Sequence, residues 1–463
     1  MGRIFSFLLI NGYLFFISIS AGLAEDIGFE ALSINNKDES LQLCFQCHAI
    51  KDEVKEGHLP GSDLESYYSL KMPILGSSPY LADGRVRSFA YQQNHLYSSC
   101  YLSGSMTCVD CHDPHSQDFR DIYRNPLIGK FDNGQCLDCH PSKAASPESH
   151  SNHLPDSPGN QCTSCHMPFL QHQVLGGQLR FARSDHTIPI PRPAFDAAIG
   201  IENACSKCHL DKTVNWLQKK TTEWYGEIKP HHDEVRALID AENAYDIRRA
   251  ASLLLPDSVT HPMAAAAGLI TFIKDRLEPD MPGIHLDIIE RLKNMAESDD
   301  LDLKALSLMA IHLSSGTRPD TRNYLSDKIK SLGINSEAIR NRWSIGADFM
   351  GSTYFARGDY LKAIAAYRKA IEVKPFDTVA LSNLAVAYLK NNEIGLAIAV
   401  YEQILELAPD KHNIYAPLSR AYSQIGYKEK AIEILEIGIG RSPQNEHLFN
   451  MLVQLESFES SVN

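Results

Sequence analysis

The chain has 463 residues, 44% of them hydrophobic, with 44 basic against 57 acidic side chains and a formal net charge of −13. That length is enough for two or three domains and a sizeable core. The acidic balance argues against nucleic acid as a partner and leaves basic or redox partners open.

Residues 1–24 read as a secretory signal outside the fold. Arg3 supplies the positive start, Ile4 to Ile19 is largely apolar, and Gly22-Leu23-Ala24 offers small residues ahead of Glu25. The alternative is a retained membrane anchor, against which polar Asn11, Ser18 and Ser20 interrupt the run. No later segment approaches the length of a membrane span. The expectation is an exported protein of the periplasm with no membrane span in its mature chain.

Eleven cysteines follow, and ten of them fall in five copies of one pattern: CFQCH (44–48), CVDCH (108–112), CLDCH (136–140), CTSCH (162–166) and CSKCH (205–209). Disulfides are the usual reading of cysteines in an exported chain, but C-x-x-C-H is the attachment site of a c-type haem. Two cysteines three apart on a short helical turn present both sulfurs to the two vinyl groups. The adjacent histidine then turns its imidazole onto the iron. Zinc sites and redox dithiols also use C-x-x-C, but neither explains a histidine after every second cysteine.

The sequence therefore predicts five covalent haems c, each with its iron. They attach at Cys44 and Cys47, Cys108 and Cys111, Cys136 and Cys139, Cys162 and Cys165, and Cys205 and Cys208. The proximal ligands are His48, His112, His140, His166 and His209. Cys100 reads as a small buried residue, and Met167 as packing.

For the sixth positions the haem half offers His58, His95, His115, His150, His153, His172 and His186, with His231 and His232 just after. Paired histidines suit iron to electron transfer, and an empty position suits it to substrate. His115 lies three residues after His112, on the same side of that haem, so as a ligand it would serve a neighbouring one. The alternative is a surface histidine in the turn at Asp113-Pro114. His150 and His153 lie in the polar loop "SPESHSNHLPDSPGNQ", and at least one is expected to be a ligand. His186 precedes the extended, Pro-punctuated "TIPIPRP". His58 and His95 are candidates for the first haem. Arg180, Arg183 and Arg192 are either propionate partners or solvated.

This module, 25–212, is expected to hold little regular structure, since Pro and Gly are frequent and apolar periodicity is weak. Haem supplies its apolar core, and without haem it should not fold.

Helical periodicity begins near Val214. Segments such as "DIRRAASLLL", "PMAAAAGLITFIKDRL" and "LDLKALSLMAIHLSSG" predict a HEAT-like helical region over 213–340. Over 341–463 a repeat appears. Tyr354, Tyr388 and Tyr422 are spaced by 34, as are Ala363, Ala397 and Ala431, and Pro375, Pro409 and Pro443. That is the tetratricopeptide pattern, three times, followed by a capping helix over 445–458. The fold class is thus mainly α: a haem module followed by an α-solenoid. The repeats read either as a groove that docks a protein partner or as a scaffold bracing the haem module.

The order of "SGSMTCVDCHDPHS", "HSNHLPDSPGNQCTSCHMP", "SDHTIPIPRP" and "IENACSKCHLDKTVNW" resembles a family of exported multihaem c-type cytochromes that join a haem module to HEAT-like and tetratricopeptide helices. The haem module is similar in motif style to the wider group containing hydroxylamine oxidoreductase and pentahaem nitrite reductase. The resemblance implies bis-histidine haems in close-packed pairs, with His115, His150 or His153, and His186 as distal ligands. The chain departs from its relatives on the N-terminal side, where only Cys44–His48 precedes the shared block. No C-x-x-C-K variant occurs, so the lysine-ligated catalytic haem of pentahaem nitrite reductase has no counterpart.

Three functions stand open at this point. One is an electron carrier whose helical repeats dock a redox protein. The second is a reductase or oxidase of a small nitrogen or sulfur compound, with one open iron and a pocket drawn from Tyr91, Tyr97, Tyr101, His172, Arg180 and Lys207. The third is a scaffold that uses haem mainly to fold.

Overall fold

The computed structural model describes residues 37–460 apart from 60, 77–79, 87–90, 114–115, 117 and 170–183. The expected signal at 1–24 therefore lies outside the described residues, as do His115, His172, Arg180 and Arg183. The chain is mainly helical and divides into two units. The first comprises residues up to 50, 59–64 and 79–231; the second comprises 51–58, 65–78 and 232–463.

Among the described residues the first unit has long helices only near its ends, α1 (Lys37–His48) and α2 (Val214–Tyr225). Thr213 starts α2 by accepting the Trp216 N–H at 3.2 Å, an N-terminal cap. Between them lie short turns of helix joined by irregular chain. The attachment cysteines sit on or beside those turns: α1 ends on His48, and short helical segments cover Cys108–Asp110, Gly134–Leu137, Cys162–His166 and Cys205–Lys207. The Cys108 turn is closed by Asp110, whose carboxylate accepts the Thr107 N–H at 2.7 Å.

This unit has a small protein core at each end and almost none between. Leu41, Phe45, Leu64, Val86, Leu96, Tyr97 and Val109 are buried at one end, Ala204 and Leu217 at the other. From residue 110 to 202 the only buried described residues are Asn160, Asp185 and Pro193. Ile128 is fully exposed, and Tyr123, Leu154 and Leu210 are mostly so.

The second unit is a series of helices in which most chain neighbours pack on one another. They are α3 (Asp233–Asp240), α4 (Ile247–Leu254), α5 (Pro262–Arg276), α6 (Leu286–Met295), α7 (Leu301–Ser315) and α8 (Pro319–Ser331). The repeat region follows with α9 (Ser336–Ala356), α10 (Tyr360–Val373), α11 (Thr378–Lys390), α12 (Ile394–Leu407), α13 (Tyr415–Gln424), α14 (Lys428–Arg441) and α15 (Glu446–Ser460). Aspartates 246, 300 and 377 cap α4, α7 and α11 by accepting N–H groups of the first turn. Helix α7 is buried on nearly every face, which fits a helix packed by neighbours on both sides. Ala363, Ala397 and Ala431 are all 0% exposed, so the 34-residue spacing marks where two helices cross too closely for a larger side chain.

Segments 51–58 and 65–78 fall in this unit, although the sequence assigned them to the haem module. Asp52–Glu53 pairs antiparallel with Tyr68–Ser69. Met72, Ile74 and Leu75 are buried, on a turn packed against α5 and α9. An ionic cluster fixes them. Lys71 Nζ lies 2.7 Å from Asp300, and Arg342 Nε lies 2.6 Å from Asp302. Arg342 also donates to the carbonyls of Glu65 and Tyr68, and Asn341 Nδ2 donates to Val54 O at 3.0 Å.

Candidate functional site

No disulfide joins any of the eleven cysteines, and their neighbours order the five motifs in space. Cys44 and Cys108 share a hydrogen bond that lowers the first thiol and raises the second. Cys136 and Cys162 share another, which pulls Cys162 down to about 7 and pushes Cys136 up. Burial pushes Cys111 and Cys165 up to about 11; Cys139 lies in the field of the first, Cys205 and Cys208 in that of the second. Each motif is thus close to the next in chain order, and Cys100 lies between the second and third.

Three of the proximal histidines face a second histidine. The ring centres of His112 and His186 are 6.5 Å apart, those of His150 and His166 6.1 Å, and those of His153 and His209 6.0 Å. The His150 and His166 rings are nearly parallel, at 6°. The distance has a chemical meaning. An imidazole nitrogen sits about 2 Å from the metal it binds, and its ring centre about 1 Å further. Two imidazoles on opposite sides of one metal ion therefore have centres about 6 Å apart.

The second ring nitrogens agree. Nδ1 of His166 faces Pro189 O at 2.9 Å, Nδ1 of His186 faces Ser184 O at 2.8 Å, and Nδ1 of His153 faces Ser151 O at 2.6 Å. A carbonyl only accepts, so Nδ1 carries the proton and Nε2 keeps its lone pair for a metal. Burial also lowers the pKa of His112, His150 and His166.

The loop between 147 and 162 shows how one short sequence serves two sites. Helix Pro147–Ser151 ends at Asn152, whose φ of 57° is left-handed, a conformation asparagine tolerates. The reversal sends His150 towards His166 and His153 towards His209. Gly159 lies against the His153 ring, where an added Cβ would come within 2.2 Å of it.

Aromatic side chains stand beside the paired histidines: Phe119 by His112, Tyr225 by His150, Trp224 by His153 and Trp216 by His209. The last three come from α2, and each stays more than a third exposed. Large aromatics left open around histidine pairs, beside a stretch whose described residues form almost no core, suit a flat apolar group between the rings. Among the described residues no three His, Cys, Asp or Glu side chains gather to hold a metal ion. An iron already ringed by a porphyrin asks the protein only for axial ligands.

The remaining candidates are placed otherwise. His48 and His140 have no opposing histidine ring among the described residues. His95 turns Nε2 to Met106 O at 2.9 Å and Nδ1 to Ser98 Oγ at 3.2 Å, so both nitrogens are engaged. His58 falls in the second unit, edge-on to Tyr67 and Tyr68. His231 stacks on Phe195 at 4.0 Å, and His232 stands edge-on to His261. Arg192 donates to the carbonyls of Ile190 and Lys229.

Comparison with known proteins bears on the second unit alone. Tetratricopeptide-repeat families match residues 351–392 and 379–411. A small glutamine-rich tetratricopeptide repeat-containing protein of Mycosarcoma maydis is 33% identical over 115 residues, 24% of this chain and 33% of that protein. Anaphase-promoting complex subunit 3 of Dictyostelium discoideum is 26% identical over 125 residues, 27% of this chain and 12% of that protein. The chain thus spans a third or less of the length of these relatives. Among solved structures, the first repeat domain of Spaghetti (RPAP3) bound to an HSP90 peptide has 22% identity and a TM-score of 0.24, covering 25% of this chain and 93% of that one. MamA has 18% identity and a TM-score of 0.22, covering 35% of this chain and 99% of that one. The chain carries tetratricopeptide repeats, a scaffold for docking other proteins.

Proposed function

We propose that the protein is an exported, periplasmic carrier of electrons, with five covalent haems c in its first unit and a redox protein docked on its repeats. The observation that carries this reading is the set of three histidine pairs at the separation of two ligands on one metal. Their proximal members follow C-x-x-C pairs on helical turns, and the five motifs neighbour one another in sequence order.

In this reading the ten cysteines form the thioethers, and His48, His112, His140, His166 and His209 bind from the proximal side. His186, His150 and His153 close the sites of His112, His166 and His209. A haem iron held between two imidazoles exchanges one electron with little rearrangement and has no free position for substrate. The backbone carbonyls behind His166, His186 and His153 hold each ring in its ligating tautomer. The motif order gives the order of the path, from the Cys44 site to the Cys205 site.

The test is haem stoichiometry and spin state in the protein produced with c-type maturation. Five haems per chain, with His150→Ala converting one low-spin iron to high-spin, is the expected result. Absence of covalent haem, or an unchanged spectrum in that variant, would refute it.

A second reading concerns His48 and His140; the candidates His115 and His172 lie outside the described residues. If one of these irons keeps an open position, the same chain would reduce or oxidise a small nitrogen or sulfur compound there. A high-spin signal in the wild-type protein that shifts on adding nitrite or hydroxylamine would favour this reading.

A further inference from the structure

Among the described residues, the segment that carries His186 is held by one isolated antiparallel bridge, Ser184 to Phe169. It runs as Ser184-Asp185-His186-Thr187-Ile188 into Pro189 and Pro191, and prolines donate no hydrogen bond. Ile188, two residues past the histidine, has a φ of 49°. A β-branched residue avoids that region, and adopts it only where the surroundings force it.

A charged cluster reaches the segment from a hundred residues away. Asp185 is 0% exposed. Its Oδ2 accepts from Arg85 Nη1 at 2.8 Å, and its Oδ1 accepts the N–H of Thr187 at 2.9 Å. Its own N–H donates to Pro168 O at 2.8 Å. Arg85 is also buried, and its Nε reaches Asp83 Oδ2 at 2.6 Å. Asp196 faces the same guanidinium, and burial pushes its carboxyl up to about 6. His95, engaged through both ring nitrogens, also shares a hydrogen bond with the His186 backbone. A buried ion pair of this kind adds little net stability but fixes the groups it joins.

We infer that Arg85 is a positioning residue for His186: by gripping Asp185 from inside the unit, it sets the height and angle of the ring that faces His112. This rests on the haem reading above. The geometry separates two jobs in adjacent residues. Asp185 anchors, and His186 ligates. The anchor reaches inward to the one well-buried part of the unit, whereas the ligand faces the part that has no protein core.

The test uses the holoprotein. Arg85→Met and Asp185→Asn are each compared with wild type and with His186→Ala, by haem content, electron paramagnetic resonance and redox titration. The expected result is five haems retained, with one low-spin signal shifted or turned high-spin. That signal is the one lost in His186→Ala, and the midpoint of only that centre moves. Arg85→Lys, which keeps the charge, restores part of the wild-type signal. If Arg85→Met does not accumulate, Asp185→Asn decides, because it keeps the shape and removes only the ionic grip. Wild-type signals and midpoints in a folded, five-haem Asp185→Asn or Arg85→Met protein would overturn the inference. A wild-type protein without covalent haem would instead overturn the haem reading on which it rests.

Discussion

Gly159 is the residue where one methyl group tests a ligand. Its missing side chain is what lets the His153 ring lie where it faces His209. Gly159→Ala should therefore move that ring and perturb one iron, leaving the other signals alone; the low-spin resonances of the variant check this. Asn152 tests the reversal before it. Asn152→Gly should be nearly neutral, whereas Asn152→Val should cost about 1–2 kcal/mol in thermal stability, since a branched side chain resists the left-handed turn. In the second unit, His261 caps α5 by accepting the Ala264 N–H on Nδ1 at 3.2 Å, which only the neutral ring can do. Burial, with His232 nearby, pulls its pKa from 6.5 to about 4. The unfolded chain then binds a proton that the folded one refuses, so stability is full above pH 6.5 and falls as the pH drops towards 4. The loss should approach about 3 kcal/mol, and in His261→Asn, which keeps a cap, denaturation midpoints should vary less with pH. At this scale the five C-x-x-C-H motifs were legible, because each keeps cysteine and histidine at one fixed spacing. The histidines that face them could be picked out only as a set of candidates. Nothing in the chain distinguishes His95, which braces, from His186, which faces an opposing ring, because the difference lies in which carbonyl each nitrogen meets.

The elements repeat the same contrast. The tetratricopeptide helices could be located from the sequence because each Tyr, Ala and Pro recurs where two helices touch, and Ala363, Ala397 and Ala431 are indeed fully enclosed. Ala397→Leu should overpack the α11–α12 crossing and cost about 1–3 kcal/mol, measurable by chemical denaturation. The segment 51–78 was not legible as part of the helical unit. Its strand is two residues long and its apolar turn, Met72–Leu75, is too short to show a period. What ties it down is charge at long range, from Lys71 to Asp300 and from Arg342 to Asp302 and two carbonyls. Arg342→Met leaves Asp302 with only Lys71, 3.7 Å away, and should cost about 3 kcal/mol. Protease cleavage within 51–78, before the helices unfold, is the expected readout. Helix α2 likewise groups with the first unit, not with the helices that follow, and its Trp216, Trp224 and Tyr225 stand by the paired histidines.

For the whole molecule, the two units differ in what stabilises them. The second buries a long series of aliphatic side chains. Among the described residues the first buries almost no apolar side chain between 110 and 202, and in the proposed reading its order comes from haem held by the ten cysteines. Electron paramagnetic resonance of the oxidised protein, with haem counted on the same sample, tests that claim most directly. The account predicts five covalent haems per chain, with at least three low-spin bis-histidine irons, one of which is lost in each of His186→Ala, His150→Ala and His153→Ala. A chain that carries no haem yet keeps residues 79–231 folded, or one whose low-spin signals survive all three substitutions, would contradict it.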